Sequence, residues 1–272
     1  MNLKTSYSSL ENKVVFVLGG STGIGSTLVE EFAKQGSKVA FVGRNEEASK
    51  ELIESLKECK FSPKFYKCDI TDVNSLENVI AEVIKSIGDI NVLLNNAAND
   101  ERHEFLDTTH EYFDWEYQTN LKPHVFTAKA IIKSMIKLGG GSVINVGSIG
   151  WMRKNEKTIL YGVFKSSLHG LTHGLAKRFG KDRIRVNTLV PGWTMTKKQI
   201  EVHLDEEGEK KIKCICQGPK RAVNKLRVEN ARILLKDKAL AGDLGEEAQR
   251  EMQTIIETEN IQTQTREYIE KI

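Results

Sequence analysis

The chain has 272 residues, 39% of them hydrophobic, and its 40 Lys and Arg against 37 Asp and Glu give a net charge of +3. This length fits one domain with a substantial core, and the even charge argues against nucleic acid or an anionic membrane as the main partner. No apolar run reaches the roughly 18 residues of a membrane span, so we expect a small-molecule partner.

Short β-branched runs alternate with helical stretches along the first two thirds of the chain. The predicted strands are residues 14–18, 39–42, 65–66, 92–94, 143–146 and 186–190. The predicted helices between them are residues 27–35, 46–58, 75–87, 112–138 and 160–179. This alternation predicts an α/β fold with a doubly wound parallel sheet, the Rossmann fold, in a single domain.

The composition changes after Thr196. Asp, Glu, Lys and Arg make up 30 of the last 76 residues, and Tyr268 is the only aromatic residue among them. We therefore predict a dinucleotide-binding catalytic part at residues 1–196 and, at residues 197–272, a substrate lid with an atypical, mostly helical C-terminal tail. Such a tail has few side chains from which to build a core.

A glycine-rich segment follows the first predicted strand and opens the first helix. Glycines let the backbone approach a pyrophosphate, and the N–H groups at a helix N-terminus favour an anion. The alternative is a turn whose glycines serve packing alone. The predicted cofactor contacts here are Gly19, Ser21, Thr22, Gly23, Ile24 and Gly25.

The ends of the second and third predicted strands carry candidate nucleotide contacts. Arg44, beside Asn45, can pair with the extra phosphate of NADP, whereas NAD would favour an acidic residue there. Arg44 as a solvated surface charge is the alternative. Asp69, with Ile70, is placed to meet the adenine, or else Asp69 caps the helix that begins near residues 71–72.

Tyr161 and Lys165 are the chemical centre of the sequence. A spacing of four places both side chains on one face of a helix, so a phenol and an ammonium can share a pocket. Ser148 lies thirteen residues upstream, directly after a predicted strand, and Asn120 precedes it. An exposed helical pair is the alternative for Tyr161 and Lys165.

These motifs together resemble the short-chain dehydrogenase/reductase family over residues 13–196. Residues 95–98 and residues 191–196 extend the resemblance beyond the glycine loop and the catalytic set. It implies an NAD- or NADP-dependent enzyme that acts on CH–OH groups. The further cofactor contacts that it implies are Asn96, Ala97, Tyr161, Lys165, Pro191, Gly192, Thr194 and Thr196, although Thr194 and Thr196 could instead cap the next helix.

The resemblance also implies roles that chemistry can rationalise. A tyrosine of pKa near 10 becomes a usable base when Lys165 and an oxidised nicotinamide ring stabilise the Tyr161 phenolate. Ser148 would hydrogen-bond the substrate oxygen, and Lys165 would also bind the nicotinamide ribose. The Asn120 amide could hold a water that relays the proton to solvent. A helical Asn that faces bulk water is the alternative.

A closer resemblance is to bacterial sugar dehydrogenases of this family that act on D-xylose and related aldoses. It rests on residues 96–103, 147–151, 191–192, 196–197 and 206–209. Asn99, Arg102 and His103 could bind hydroxyl groups, with Trp151 as an apolar wall, and Ser148 and Tyr161 at the reacting carbon. A solvated loop is the alternative for this polar run. We expect hydride to pass from the anomeric carbon of an aldose to NAD(P).

Two other functions remain open at this point. The same catalytic set could reduce a ketone or a 3-oxoacyl thioester. Alternatively, the chain binds cofactor with impaired turnover, because the tail lacks the last strand with which this family closes its sheet. The family forms subunit contacts with that region, so the same departure puts the homo-oligomer that the resemblance implies in doubt.

No metal site is expected from the sequence. Cys214 and Cys216 lack a second ligand pair, and His169 and His173 lack the intervening glutamate of a zinc hydrolase. With no secretory leader, the four cysteines indicate reduced thiols in the cytoplasm.

Overall fold

The computed structural model describes residues 7–153, 155–192, 194, 196 and 198–200. The chain divides into two compact units, Met1–Lys198 and Gln199–Ile272, and nearly all described residues belong to the first. The predicted helical tail, the Cys214 and Cys216 pair and the 206–209 segment lie outside the described residues.

In the described part of the chain, six parallel strands form one sheet, as the sequence predicts. Their order is β3-β2-β1-β4-β5-β6, the doubly wound arrangement. The strands are β1 Val14–Leu18, β2 Lys38–Gly43, β3 Lys64–Lys67, β4 Val92–Asn95, β5 Gly141–Val146 and β6 Ile184–Leu189. The sheet order reverses between β1 and β4, where a ligand crevice forms in such folds.

Alternate residues of the central strand serve two separate cores. Phe16 and Leu18 pack with the helices of one face, and Val15 and Val17 pack with α1 (Gly23–Lys34) and α2 (Glu46–Ser55) on the other. All five residues of β1 are buried. Burial on both faces explains why these strands are continuous apolar runs rather than alternating ones.

The prediction of a single helix at residues 112–138 is wrong. The structure has α4 (His110–Asn120) and α5 (Lys122–Lys137), with Leu121 between them at φ −130° and ψ −54°. Pro123 lies in the first turn of α5, where its missing N–H costs nothing, whereas within a longer helix it would remove a hydrogen bond.

The remaining helices are α3 (Val73–Ser86) and α6 (Ile159–Phe179). Helix α1 begins four residues earlier than predicted, so Gly23, Ile24 and Gly25 form its first turn. In the described ranges, no helix has the length and apolar character that crossing a bilayer requires.

Two helical glycines are expected to respond oppositely to alanine. A Cβ at Gly25 would lie 1.9 Å from the Gly19 carbonyl oxygen, whereas one at Gly170 meets nothing within 4 Å. Gly170→Ala should stabilise the fold by about 0.5–1 kcal/mol, and Gly25→Ala should destabilise it by several kcal/mol because backbone must move. Urea unfolding of both variants measures the difference, and equal effects would contradict the tight contact of α1 with the loop.

Candidate active site

The glycine loop is fixed by the strand next to it. The N–H groups of Gly19 and Gly20 donate to the Val42 carbonyl oxygen of β2 at 3.1 and 3.0 Å. Gly19 and Gly23 have φ values of +81° and +62°, which favour glycine. The loop thus leads directly into the N-terminus of α1, the setting predicted for a bound phosphate.

The Asn96–Ala97 segment after β4 braces this loop from the other side. The Asn96 side-chain amide donates to the Gly19 carbonyl oxygen at 2.8 Å. A Cβ on Gly19 would lie 2.8 Å from the Cα and Cβ of Ala97. Asn96 and Ala97 therefore both contact the glycine loop, which is where the sequence predicts cofactor contacts.

Ser21 has a contact within the protein. The Ser49 hydroxyl donates to the Ser21 hydroxyl oxygen at 2.9 Å, and a Cβ on Gly43 would lie 2.0 Å from that same oxygen. Thr22 is the residue immediately before α1 and makes no side-chain cap hydrogen bond. The Thr22 hydroxyl is thus not committed to capping the helix.

The side chains of Arg44 and Asn45 are exposed at the end of β2. Asn45 also caps α2, because its side chain accepts a hydrogen bond from the Ala48 N–H at 3.0 Å. The guanidinium of Arg44 faces solvent beside the glycine loop's anchor strand. That location suits the pairing with a phosphate that the sequence predicts.

The capping alternative for Asp69 is wrong. Asp72 caps α3 by accepting from the Ser75 N–H at 3.1 Å. Asp69 instead accepts from the N–H and the hydroxyl of Thr71 at 3.0 and 2.9 Å. The backbone hydrogen bond from Thr71 is the main reason that the pKa of Asp69 is lowered, and the nearby Arg44 charge acts in the same direction.

The segment after β6 lies against the glycine loop. A Cβ on Gly23 would lie 3.4 Å from the Thr196 methyl group. The Pro191 carbonyl oxygen accepts from the Ile149 N–H at 3.3 Å, and a Cβ on Gly192 would lie 3.7 Å from Ile149. Thr196 and the Ser148 turn are therefore brought to the same end of the sheet. The Thr194 hydroxyl donates weakly, at 3.4 Å, to the Gly192 carbonyl oxygen.

Ser148, Tyr161 and Lys165 come together where β5 ends. The Ser148 hydroxyl oxygen accepts from the Gly150 N–H at 3.0 Å, and the same hydroxyl is close enough to Tyr161 to act on the pKa of its phenol. Lys165 is 1% exposed, and its Nζ donates to the Val146 carbonyl oxygen at 2.7 Å. The same Nζ lies 5.9 Å from the centre of the Tyr161 ring. The exposed-pair alternative for Tyr161 and Lys165 is therefore wrong.

Burial dominates the electrostatics of this pair. It raises the pKa of Tyr161 to about 12, opposed by the hydrogen bond from Ser148, and Asp100 and Glu116 raise it further. Burial also lowers the pKa of Lys165 to about 7, opposed by Asp100. The expected stabilisation of the phenolate by Lys165 is thus not produced by the chain alone.

A row of buried polar side chains that the sequence analysis missed lies beneath the pair. Asn95 donates to Asn145 Oδ1 at 2.9 Å, and Asn145 donates to the Thr172 hydroxyl at 2.9 Å. Thr172 lies 2.7 Å from the Thr188 hydroxyl. The row joins β4, β5, α6 and β6. The sequence signal that could have indicated this row is the presence of Asn95 and Asn145 in otherwise apolar runs of two strands.

Asn120 is fully buried, so the alternative that it faces bulk water is wrong. Its Oδ1 accepts from the Asn99 N–H at 2.8 Å, and its Nδ2 donates to the Asn99 carbonyl oxygen at 3.1 Å. Nδ2 also donates to Glu116 Oε2 at 2.6 Å. Both amide hydrogens are used within the protein, which leaves one Oδ1 lone pair for the water that the sequence analysis assigns to it.

His124 is a second buried group that the sequence did not single out. Its Nε2 lies 2.7 Å from the Ala97 carbonyl oxygen, so this nitrogen carries the proton. Burial lowers the pKa of His124 to about 3, and the charge of Lys165 acts in the same direction. A neutral imidazole on α5 therefore lies close enough to Lys165 for the charge of that lysine to act on it.

The predicted substrate residues are only partly brought together. A small cavity beside Tyr161 is lined by Glu101, His103, Phe105, Thr108, Tyr112, Glu116, Thr158, Ile159, Leu160 and Tyr161. Arg102 is exposed, and the Asn99 side chain accepts from Lys198 at 3.3 Å. Trp151 is 40% exposed and packs edge-on against His169 at 5.5 Å. Of this set, His103 and Tyr161 share the cavity.

Comparison with known proteins agrees with this geometry. The family model for short chain dehydrogenases matches residues 13–207. The chain belongs to this family. Short-chain dehydrogenases with sugar-related names are among its relatives. D-xylose 1-dehydrogenase of Caulobacter vibrioides is 40% identical over 206 residues, which cover 76% of this chain and 81% of the relative.

Two further proteins are similar to the chain. A probable galactose dehydrogenase, GalD, of Rhizobium meliloti is 36% identical, covering 76% of this chain and 82% of the relative. The crystal structure of L-sorbose reductase from Gluconobacter frateurii, complexed with NADPH and L-sorbose, matches with a TM-score of 0.70 and 27% identity. It covers 76% of this chain and 81% of that one. The chain is an oxidoreductase that acts on CH–OH groups.

Replacement of Lys165 should change how stability depends on pH. With a folded pKa of about 7 against 10.5, the buried ammonium destabilises the fold most below pH 7, and this cost disappears as the pH rises toward 10.5. Between about pH 7 and about pH 10, the free energy of unfolding of wild type should therefore rise by about 3 kcal/mol relative to that of Lys165→Met. Urea unfolding at both pH values measures this, with the exposed Lys133→Met as control. Parallel curves for wild type and Lys165→Met would contradict the burial of a titrating amine.

Proposed function

We propose that the chain oxidises an aldose at its anomeric carbon to the lactone, with NADP or NAD as hydride acceptor. The observation that carries the proposal is the meeting of Ser148, Tyr161 and the buried Lys165 at the strand ends that also support the glycine loop. The relatives named as xylose and galactose dehydrogenases support a sugar substrate.

The residues around the glycine loop fit a dinucleotide. Backbone is packed so closely at Gly19 and Gly25 that side chains there would collide with neighbouring atoms. The N-terminus of α1 can take the pyrophosphate, and the exposed Arg44 favours NADP by pairing with its additional phosphate. Asp69, with Ile70, would meet the adenine, and Thr194, Thr196 and Lys165 would hold the nicotinamide half.

The protein's own groups would then handle the proton and the substrate oxygen. A nicotinamide, when bound, would supply the hydride acceptor. Tyr161 would take the proton of the anomeric hydroxyl, and Ser148 would hold that oxygen by a hydrogen bond. Because burial raises the pKa of Tyr161 to about 12, the population of its phenolate in the free protein rises with pH.

The small cavity beside Tyr161 has polar side chains among apolar ones. Glu101 and His103 line it together with Phe105, Ile159 and Leu160. The side chains of Glu101 and His103 can form hydrogen bonds with hydroxyl groups, whereas an apolar steroid or acyl chain would offer them no partner. These two residues favour a polar substrate.

An activity screen tests the function. Purified protein should reduce NADP or NAD with at least one sugar from a panel of pentoses and hexoses. The rate should increase as the pH rises, because more of Tyr161 is then present as the phenolate.

The Tyr161→Phe variant tests the role of the phenol. It should lower kcat about 10²- to 10⁴-fold with little change in cofactor binding. A carbonyl panel with NADPH and NADH runs beside the sugar panel. Reduction of ketones with no sugar oxidation would overturn the aldose proposal, and cofactor binding with no turnover would indicate a binding protein.

Arg44 should decide between the two cofactors. Arg44→Ala should weaken NADP binding about 10- to 100-fold through the loss of a charge-assisted contact, while NAD binding changes little. Fluorescence titration measures both affinities. Arg185→Ala, an exposed arginine on β6, is the matched control. If both variants weaken NADP equally, the preference comes from general charge and not from Arg44.

A further inference from the structure

A buried carboxyl group lies beside the catalytic tyrosine without a role in the proposed chemistry. Glu116 on α4 is 1% exposed. Its Oε2 accepts from Asn120 Nδ2 at 2.6 Å, and its Oε1 accepts from the Tyr112 hydroxyl at 3.2 Å. Burying a carboxyl group costs several kcal/mol unless donors satisfy it, so these two hydrogen bonds are needed to keep it there.

The position of Glu116 connects two parts of the site. It precedes Asn120 by four residues on α4, so both side chains lie on one face of the helix. It also lines the cavity that Tyr161 lines. A substitution at Glu116 can therefore have two separate effects, one on the hydrogen bonds of Asn120 and one on the charge near Tyr161.

The first effect is geometric. Asn120 makes a pair of hydrogen bonds with the backbone of Asn99, and the second amide hydrogen points to Glu116. The Asn99 contacts alone fix which end of the amide is the nitrogen, because the Asn99 N–H needs the oxygen and the Asn99 carbonyl needs a hydrogen. Glu116 satisfies the second amide hydrogen. Without Glu116 that buried N–H would have no acceptor, and the amide would be held less firmly.

The second effect is electrostatic. The negative charge of Glu116 disfavours the phenolate of Tyr161, as does that of Asp100. The groups that face Glu116 are Tyr112, Glu101 and His103, besides Asn120. Burial is the main reason that the pKa of Glu116 is raised, opposed first by the hydrogen bond from Asn120. At the alkaline pH where a phenolate forms, the carboxyl group is ionised.

We propose that Glu116 is a positioning residue, which holds the buried Asn120 amide through the acceptor that it gives to the second amide hydrogen and places a negative charge at the cavity that Tyr161 also lines. This inference rests on the proposed function. The acceptor stabilises the Asn120 amide, whereas the negative charge opposes a phenolate at Tyr161. Removing the charge while keeping the acceptor separates the two effects.

Glu116→Gln and Glu116→Leu provide that separation. Glutamine keeps an oxygen that can accept from Asn120, whereas leucine of similar size does not. For sugar oxidation, both variants should shift the alkaline rise of the rate to lower pH by about half a unit or more. Glu116→Leu should in addition lower kcat about tenfold relative to Glu116→Gln, with KM less affected. The exposed Glu111→Gln on the same helix should shift nothing.

The pH profile and the comparison of the two variants decide the inference. A profile of Glu116→Gln that superimposes on wild type would overturn it. So would equal kcat values for Glu116→Leu and Glu116→Gln, because the acceptor would then have no effect. Shifts of the same size in Glu111→Gln would also overturn it, since any charge on α4 would then suffice.

Thermal unfolding provides a readout that needs no turnover. Because the folded pKa of Glu116 is raised, wild type loses the contribution of the neutral carboxyl as the pH rises. The stability of Glu116→Gln relative to wild type should therefore increase as the pH rises above about 4, and Glu116→Leu should be less stable than Glu116→Gln. The reverse order would overturn the inference even in an active enzyme. If wild type shows no turnover but the three proteins show the expected order of stability, the proposed function is wrong and the inference about Glu116 still holds.

Discussion

The hydrogen bond from Lys165 Nζ to the Val146 carbonyl oxygen is the contact on which the site depends. An ammonium group that is 1% exposed has few partners to choose from, and this one is the last carbonyl of a central strand. The bond fixes α6 against the end of β5. Tyr161, one turn earlier on the same helix, is thereby held beside Ser148, which follows that strand.

The sheet supports this contact with hydrogen bonds of its own. Asn95 and Asn145 are partners in register on neighbouring strands, as are Asn145 and Thr188. Their side chains join across the strand ends, where apolar packing alone would allow small displacements. Directional bonds specify position more sharply than apolar contacts do, so the polar row suits a location where reacting atoms must be placed accurately.

Much of the fold could be predicted because its signals are local. Parallel strands buried on both faces are short apolar runs, and the spacing of Tyr161 and Lys165 on a helix follows from its period. The meeting of Glu116 with Tyr161 could not be predicted. The periodicity of a helix shows which of its residues lie on one face, but it does not show which of its faces packs against another helix or strand. The break at Leu121 was missed, although Pro123 was the available signal, because a proline within one long helix would remove a backbone hydrogen bond.

That break has an effect on how the enzyme can change. Helix α5 contributes Ala128, Ile131 and Met135 to the apolar core, whereas α4 contributes Glu116 and Asn120 to the site. Hydrogen bonds continue on both sides of Leu121, from its N–H to the Tyr117 carbonyl oxygen and from the Val125 N–H to its carbonyl oxygen. The core residues and the residues beside the Tyr161 cavity thus lie on two short helices that meet at a change of backbone angles. A substitution on the cavity side of α4 therefore replaces none of the side chains that α5 packs under the sheet.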